Sequence, residues 1–385
     1  MARLPARGLL AVAVFSLTAC SAPAQPRPAA SVTPPPAAPA PAIAPSAPVR
    51  AAPTRPSAHL WPFTKLQGED YVSLKDLAEH YHLTRAWTRP DLTRTLADTR
   101  GVRFKFERNQ RDCHLDGVRM FLGAAALFHK GELWVSKLDV IKTIAPLLRP
   151  EDHPTLLPAA PPKLIVLDAG HGGTDPGKQN LKLKLNEKDM TLDVTLRLKK
   201  LLELRGYQVL LTRDKDVRFS NSPAIDLPWR AEIANKAGAD LFLSIHFNAV
   251  DPRDAQRVSG SETYVLTPEL MVSTQPESDK SMVQEKYPGN RHDAANVLLG
   301  YNLHRQLITG LKTSDRGYKR YRYAVLRTLN CPGALIEAAF LSNDTEAARL
   351  GTPEFRQQIA EAIADGVQAY SATLAGLRPV ASPVK

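Results

Sequence analysis

The chain has 385 residues, a formal net charge of +11 and 32 prolines, most of them crowded near the N-terminus. An apolar share of 43% is enough for a sizeable core, while the prolines are too many for a plain globular fold. The basic balance favours anionic surroundings such as a membrane face or an acidic wall polymer. The lack of a basic run and an aromatic content of 6% argue against nucleic acid.

The first element is a targeting segment. MARLPARGLLAVAVFSLTAC opens with Arg3 and Arg7, continues with an apolar stretch too short to span a bilayer, and ends in Leu17–Thr18–Ala19–Cys20. That ending resembles the lipobox of bacterial lipoproteins. The resemblance implies lipidation at Cys20, and Ser21 in place of Asp implies a periplasmic protein anchored at the outer membrane. The alternative is an ordinary cleaved signal with a stray cysteine. Residues 21–58, rich in Pro and Ala, cannot build a core. As a disordered polyproline-like tether at roughly 3.1 Å per residue they would reach about 100 Å.

Residues 59–148 read as a small α+β module. YVSLKDLAEHYHL and ELWVSKLDVIKTIAPLL each read as a strand entering a helix, and GVRFKFERNQRDCHLDGVRMFL alternates as a hairpin. The paired strand–helix units resemble the N-terminal domain of copper amine oxidases, which implies a binding or spacing module with no copper site. His80 and His82 form an HxH pair with no third ligand nearby, so they read as solvated helix-end residues. Cys113 and Cys331 read as two buried free thiols, a disulfide between them being the alternative. With no CxxC pair, a thiolate zinc site is excluded.

Residues 149–162 read as a second linker, and 378–385 as a tail. Between them, residues 163–377 alternate strand and helix, as in an α/β domain with a mixed open sheet flanked by helices. The expected strands are KLIVLDA, YQVLLTR, DLFLSIHF, GSETYVLT, YAVLRT and GALIEAAFL. The expected helices begin at about Asn186, Pro223, Asp293 and Pro353.

Four polar residues sit where such a domain should be apolar. His171 follows the first strand in VLDAGHGGTDPG, His246 lies inside LFLSIHFNA, Glu337 inside PGALIEAAFLSN, and Glu187 opens a long helix. Singly, each has a structural explanation: a bonded core histidine, or a helix-opening carboxylate favoured by the dipole. Together they are harder to dismiss. A carboxylate buried among apolar neighbours needs a partner or a neutral form. Two histidines and a carboxylate make a hydrolytic zinc set, and a further carboxylate can take a proton from water. In open α/β sheets such sites gather at strand carboxyl ends.

The ordered motifs LDAGHGGTDPG, NEKD, LLTR, ANKAGADLFLSIHFNA, YAVLR and PGALIEAAFLSN resemble those of zinc-dependent N-acetylmuramoyl-L-alanine amidases of the division and cell-wall lysis type. The resemblance covers about 210 residues. It implies Zn²⁺ held by His171, Glu187 and His246, Glu337 as general base, peptidoglycan as substrate, and room for a protein activator. The glycines around His171 are then expected to clear a groove for a glycan strand. A phosphate loop is disfavoured, because no GK[ST] or GxGxxG pattern is present. Phe247 stands where a small residue is usual and is expected to narrow the groove; Ala339 stands where glycine is common. Residues 269–293 are expected to form a substrate-side loop, since Pro276 and Pro288 discourage a long blocking helix. His292 reads as a surface histidine, the alternative being a contact with the substrate. Two other functions share the residues: a zinc peptidase cutting within the stem peptide, and a non-catalytic tethered wall-binding protein.

Overall fold

The computed structural model describes residues 61–99, 101–275 and 280–377. Cys20 with its lipobox, the Pro/Ala-rich segment and the 378–385 tail lie outside the described residues.

The apolar run Leu164–Ala169 forms the heart of the sheet. It pairs in parallel with Gln208–Leu211 on one side and Leu241–Asn248 on the other. Leu241–Asn248 pairs in parallel with Gly333–Phe340, which pairs antiparallel with Ser261–Val265. These strands read as continuous apolar runs because both faces are covered. Ile165, Leu167, Leu243, Ile245 and Ile336 pack toward helices Glu187–Leu204, Asp293–Leu311 and Pro353–Gly376. Val166, Phe242 and Leu335 turn the other way, into a smaller core shared with Ala231 and Ala234 of helix Pro223–Ala237. The result is the expected mixed sheet with helices on both faces.

Two elements differ from the sequence reading. YAVLRT is not a strand: Ala324–Arg327 is a single helical turn. The strand at this edge is Asp315–Arg320, parallel to Ser261–Val265. Its charged residues hide its β character, and they are charged because each has a partner. Arg320 donates to Thr143 Oγ1 at 2.7 Å, and Lys319 to Glu262 Oε1 at 2.6 Å.

The predicted hairpin is a meander of Arg103–Glu107, Asp112–Leu115 and Val118–Phe121. It does not stand apart from the α/β sheet. Met120 pairs with Tyr318, so one eleven-stranded sheet runs through both regions. Gly317, at φ +99°, lets the strands meet, since a Cβ there would lie 2.7 Å from the Phe121 ring. The seam carries polar bonds as well. Arg119 N donates to Asp315 Oδ2 (2.8 Å), Arg320 Nη1 to the Phe121 carbonyl (3.0 Å), and Lys142 pairs with Asp293 (2.9 Å).

The described residues of 269–293 include two short 3-10 turns, Lys280–Val283 and Pro288–His292. The first part of the stretch meets the module, while Gln275 donates to Tyr264 Oη at 2.9 Å. Met271 and Ser273 are buried, and Arg111 Nη2 donates to the carbonyls of Val272 and Ser273. Cys113 and Cys331 are free and buried. His80 and His82 lie exposed at the end of helix Leu74–Tyr81, where His82 is the left-handed cap.

Candidate metal centre

The first parallel strand ends at Ala169, and the chain must turn at once to clear its neighbour. Gly170 makes that turn where a Cβ would fall 2.3 Å from the His246 ring. Gly172, at φ +125°, passes the Val217 carbonyl, where a Cβ would lie at 2.3 Å; at Gly177 a Cβ would lie 2.7 Å from both Glu187 and His171. The glycines therefore make room for the protein's own groups. This corrects the expectation that they clear a path for substrate. His171 itself sits at φ +61°, a strained left-handed position held by its surroundings.

His171, Glu187 and His246 converge, each with one ligand atom, and these atoms lie within 4.8 Å of one another. His171 Nε2 is 3.1 Å from Glu187 Oε1, and His246 Nδ1 is 3.0 Å from the same oxygen. The other nitrogen of His171 meets Asp175 Oδ2 at 3.0 Å, which fixes the ring. Glu187 is anchored by backbone donors: Phe247 N to Oε1 at 3.0 Å and Lys178 N to Oε2 at 2.8 Å. Phe247 is 1% exposed and packs in the core, and it also lines the cavity beside His246. Ala339 is fully buried beside it in the same core.

Glu337 pairs in register with His246 on one side and Glu262 on the other, at the floor of a cavity of about 350 Å³. The cavity is also lined by Lys178, Leu227 and Tyr323. Glu337 Oε2 has no hydrogen-bond partner among the described residues.

The two cavity carboxylates are pushed apart. Burial raises the pKa of Glu337 well above the usual carboxylate range, and the charges of Glu187 and Glu262 add to it against a smaller pull from Lys319. Burial also acts upward on Glu187, but hydrogen bonds and charge from His171 and His246 outweigh it and hold Glu187 well below. Burial lowers His171, yet Glu187 and Asp175 raise it on balance. One carboxylate that stays ionised and one poised to carry a proton is the pattern of a hydrolytic acid–base site.

Residues 165–369, more than half of the chain, match the family described as N-acetylmuramoyl-L-alanine amidase. The chain belongs to that family. The germination-specific N-acetylmuramoyl-L-alanine amidase of Bacillus subtilis (strain 168) is 32% identical over 217 residues, covering 54% of this chain and 79% of that protein. The amidase AmiC of Escherichia coli O6:H1 is 33% identical over 233 residues, which is 55% of this chain but only 53% of AmiC. Among solved structures, AmiC2 of Nostoc punctiforme aligns over 54% of this chain and 96% of that chain, with 31% identity and a TM-score of 0.44. This amidase hydrolyses the amide that joins N-acetylmuramic acid to the stem peptide in cell-wall remodelling. The matched span leaves out residues 61–150, so the module lies beyond what the family describes.

Within the amidase the four singled-out residues come together. His292 does not join them. It lines a separate cleft with Asp240 and Pro332, at the amino ends of the strands.

The sequence reading missed the supports. Asp168, fully buried, accepts from Thr212 (2.6 Å), Ser244 (2.7 Å) and Arg230 (2.8 Å). Arg230 also donates to the carbonyls of Ala169 and His171. An aspartate ending the buried run LIVLDA is the signal that could have exposed this network. Glu262 is 1% exposed and is matched by Lys319, Arg316, Tyr264 and Asn248.

Proposed function

We propose that the amidase works as a zinc enzyme, with His171, Glu187 and His246 as the metal ligands and Glu337 as the general base. The orphaned Glu337 Oε2 beside the three converged donors is the observation that carries the reading. The donor set fits the ion: two imidazole nitrogens and one carboxylate oxygen, with space left for water and substrate. When bound, the ion supplies Lewis-acid polarisation of the scissile carbonyl and makes water a stronger acid.

The chain's own groups do the rest. Asp175 holds the His171 ring, and the backbone N–H groups of Lys178 and Phe247 hold Glu187. The Glu337 carboxylate takes a proton from the attacking water as the new C–O bond forms. It returns that proton to the alanine nitrogen as the C–N bond breaks, leaving a lactyl carboxylate on the sugar and a free amine on the peptide.

Lipidation at Cys20 and the Pro/Ala-rich tether would hold the enzyme at the periplasmic face of the outer membrane, with the copper amine oxidase-like module as a spacer or wall-binding element. Replacing Cys20 by Ser should then release the protein from membranes.

The test of the chemistry is mass spectrometry of products from purified sacculi, together with metal content. Free L-alanine amino termini on whole stem peptides, and one zinc per chain removed by a chelator along with activity, are the expected results. Cleavage inside the stem peptide, or full activity in a metal-free His246→Ala protein, would sink the proposal.

A further inference from the structure

A second feature lies on the shoulder of the cavity. Phe219 and Trp229 stack face to face, with ring centroids 4.1 Å apart and planes within 5°. Phe219 is 54% exposed, and Val217 and Ile225 are exposed beside it. Val217, Phe219 and Trp229 line one small cleft together, with Arg218 and Arg230, so the exposed apolar groups gather at a surface hollow of the kind that takes a ligand.

The patch is fixed to the metal centre. The Val217 carbonyl and the Arg218 amide press on Gly172 and Gly173, where a Cβ would lie at 2.3 and 3.1 Å. Gly173 N donates to Asp216 Oδ1 at 2.7 Å. Arg218 lies 3.6 Å from Asp175, which holds the His171 ring. Phe219 N donates to Asp226, and Arg230 bonds both Asp226 and the His171 carbonyl. Helix Pro223–Ala237 separates the two regions by its first turns only: Leu227 lines the catalytic cavity and Trp229 backs Phe219. The aromatic surface therefore cannot shift without moving the His171 loop.

We infer that the outer face of Phe219, stiffened by Trp229, is a platform for a pyranose ring of the glycan strand. It would seat the sugar chain so that the lactyl amide reaches the cavity. A pyranose chair offers a face of C–H groups that suits the negative face of an aromatic ring, with hydroxyl and acetamido groups around its edge. The flanking residues supply partners for that edge: Ser220, Asn221 and Ser222. The Asn221 Oδ1 accepts from Thr174 Oγ1 at 2.6 Å, which leaves its NH₂ group as a donor. The stem peptide is a poorer fit here. Its carboxylates would seek the cation in the cavity wall, Lys178. The inference rests on the amidase reading only in taking the glycan as substrate.

The experiment compares wild type with Phe219→Ala and Phe219→Tyr, on isolated glycan–peptide strands and on a muramoyl dipeptide too short to reach the platform. Phe219→Ala should raise KM for strands roughly 3- to 10-fold, the worth of one aromatic contact, with kcat and dipeptide turnover unchanged. Phe219→Tyr should restore the wild-type KM. In parallel, tetra-N-acetylchitotetraose, which lacks the lactyl–peptide amide, should change Trp229 fluorescence in wild type and not in Phe219→Ala; a Trp229→Phe protein identifies the signal. Equal losses on strands and dipeptide would mean that Phe219 only props the His171 loop. Unchanged KM together with no chitotetraose signal would mean that the patch serves another partner, such as a protein. Either result overturns the platform. Failure of wild type to release L-alanine amino termini would instead strike the amidase reading, and the chitotetraose arm would still stand.

Discussion

Glu337 and Asp315 lie on two strands of one sheet, separated only by Ser261–Val265, and their carboxyl groups are treated in opposite ways. Glu337 faces the catalytic cavity with one oxygen unpartnered and its pKa raised, burial being the main cause. Asp315 lies at the seam with the module. Burial acts upward on it too, but the bond and charge of His304 and the N–H groups of Arg119 and Gly317 outweigh it and lower its pKa. Every oxygen of Asp315 is used. A sheet can bury a carboxylate either way. Satisfied, it ties elements together; unsatisfied, it costs stability and is free to move a proton.

The largest test of this contrast is Glu337→Gln. It should cut kcat by about 10²–10⁴-fold while zinc content and Tm stay near wild type. Glu187→Ala should instead lose zinc, with activity partly restored by excess metal. If Glu337→Gln empties the site and Glu187→Ala keeps it, the two roles are reversed.

Arg230→Met probes the buried pair of carboxylates Asp168 and Asp226. It removes the cation from Asp168 and Asp226 and should cost about 3–5 kcal/mol in denaturant unfolding. A loss below 1 kcal/mol would show that the network is not what holds the His171 loop.

pH separates the two poles directly. In the metal-free protein, direct titration of Glu337 should find its carboxyl above the usual carboxylate range, burial being the main cause. Asp315 has a folded-state pKa below its unfolded value, so its stabilisation is present above the unfolded pKa and is lost as pH falls through the folded one. In Asp315→Asn the acid sensitivity of Tm should shrink, with a neutral-pH cost of about 1–2 kcal/mol and an unshifted kcat profile. The smallest effect belongs to the exposed pair. His80→Ala, which loses ring contacts with Trp61 and Tyr81, and His82→Ala, which strains the left-handed cap, should each cost about 1 kcal/mol or less and leave metal content alone.

Much of this was legible in the sequence, and unevenly. Helix Asp293–Leu311 shows as a long apolar stretch, buried all round from Asp293 to Tyr301, and helix Pro353–Gly376 announces itself with a Thr352 cap and Pro353 in the first turn. His246 and Glu337 stood out because each interrupts an apolar strand, and His171 because it follows one directly. YAVLR misled because a four-residue apolar run carries no period that separates strand from helix. Asp315–Arg320 was invisible because its charges make sense only beside Glu262, His304 and Thr143, which are remote in sequence. The glycines of the His171 loop were read as open space for substrate. What they avoid is His246 and Val217, residues that only the fold brings near.

The pairing of Tyr318 with Met120 also bears on solubility. Without the module, Asp315–Arg320 would be an outermost strand with bare N–H and C=O groups, open to pairing with another molecule. Val118–Phe121 fills that position and passes the problem along the meander to Thr84–Arg89, the last strand of the sheet. That strand carries Arg85, Trp87 and Arg89 and shifts register between Trp87 and Arg89, and charge and irregular pairing both discourage further strand addition. A shortened enzyme beginning near residue 163 would keep the cleavage chemistry but would tend to associate through its uncovered edge.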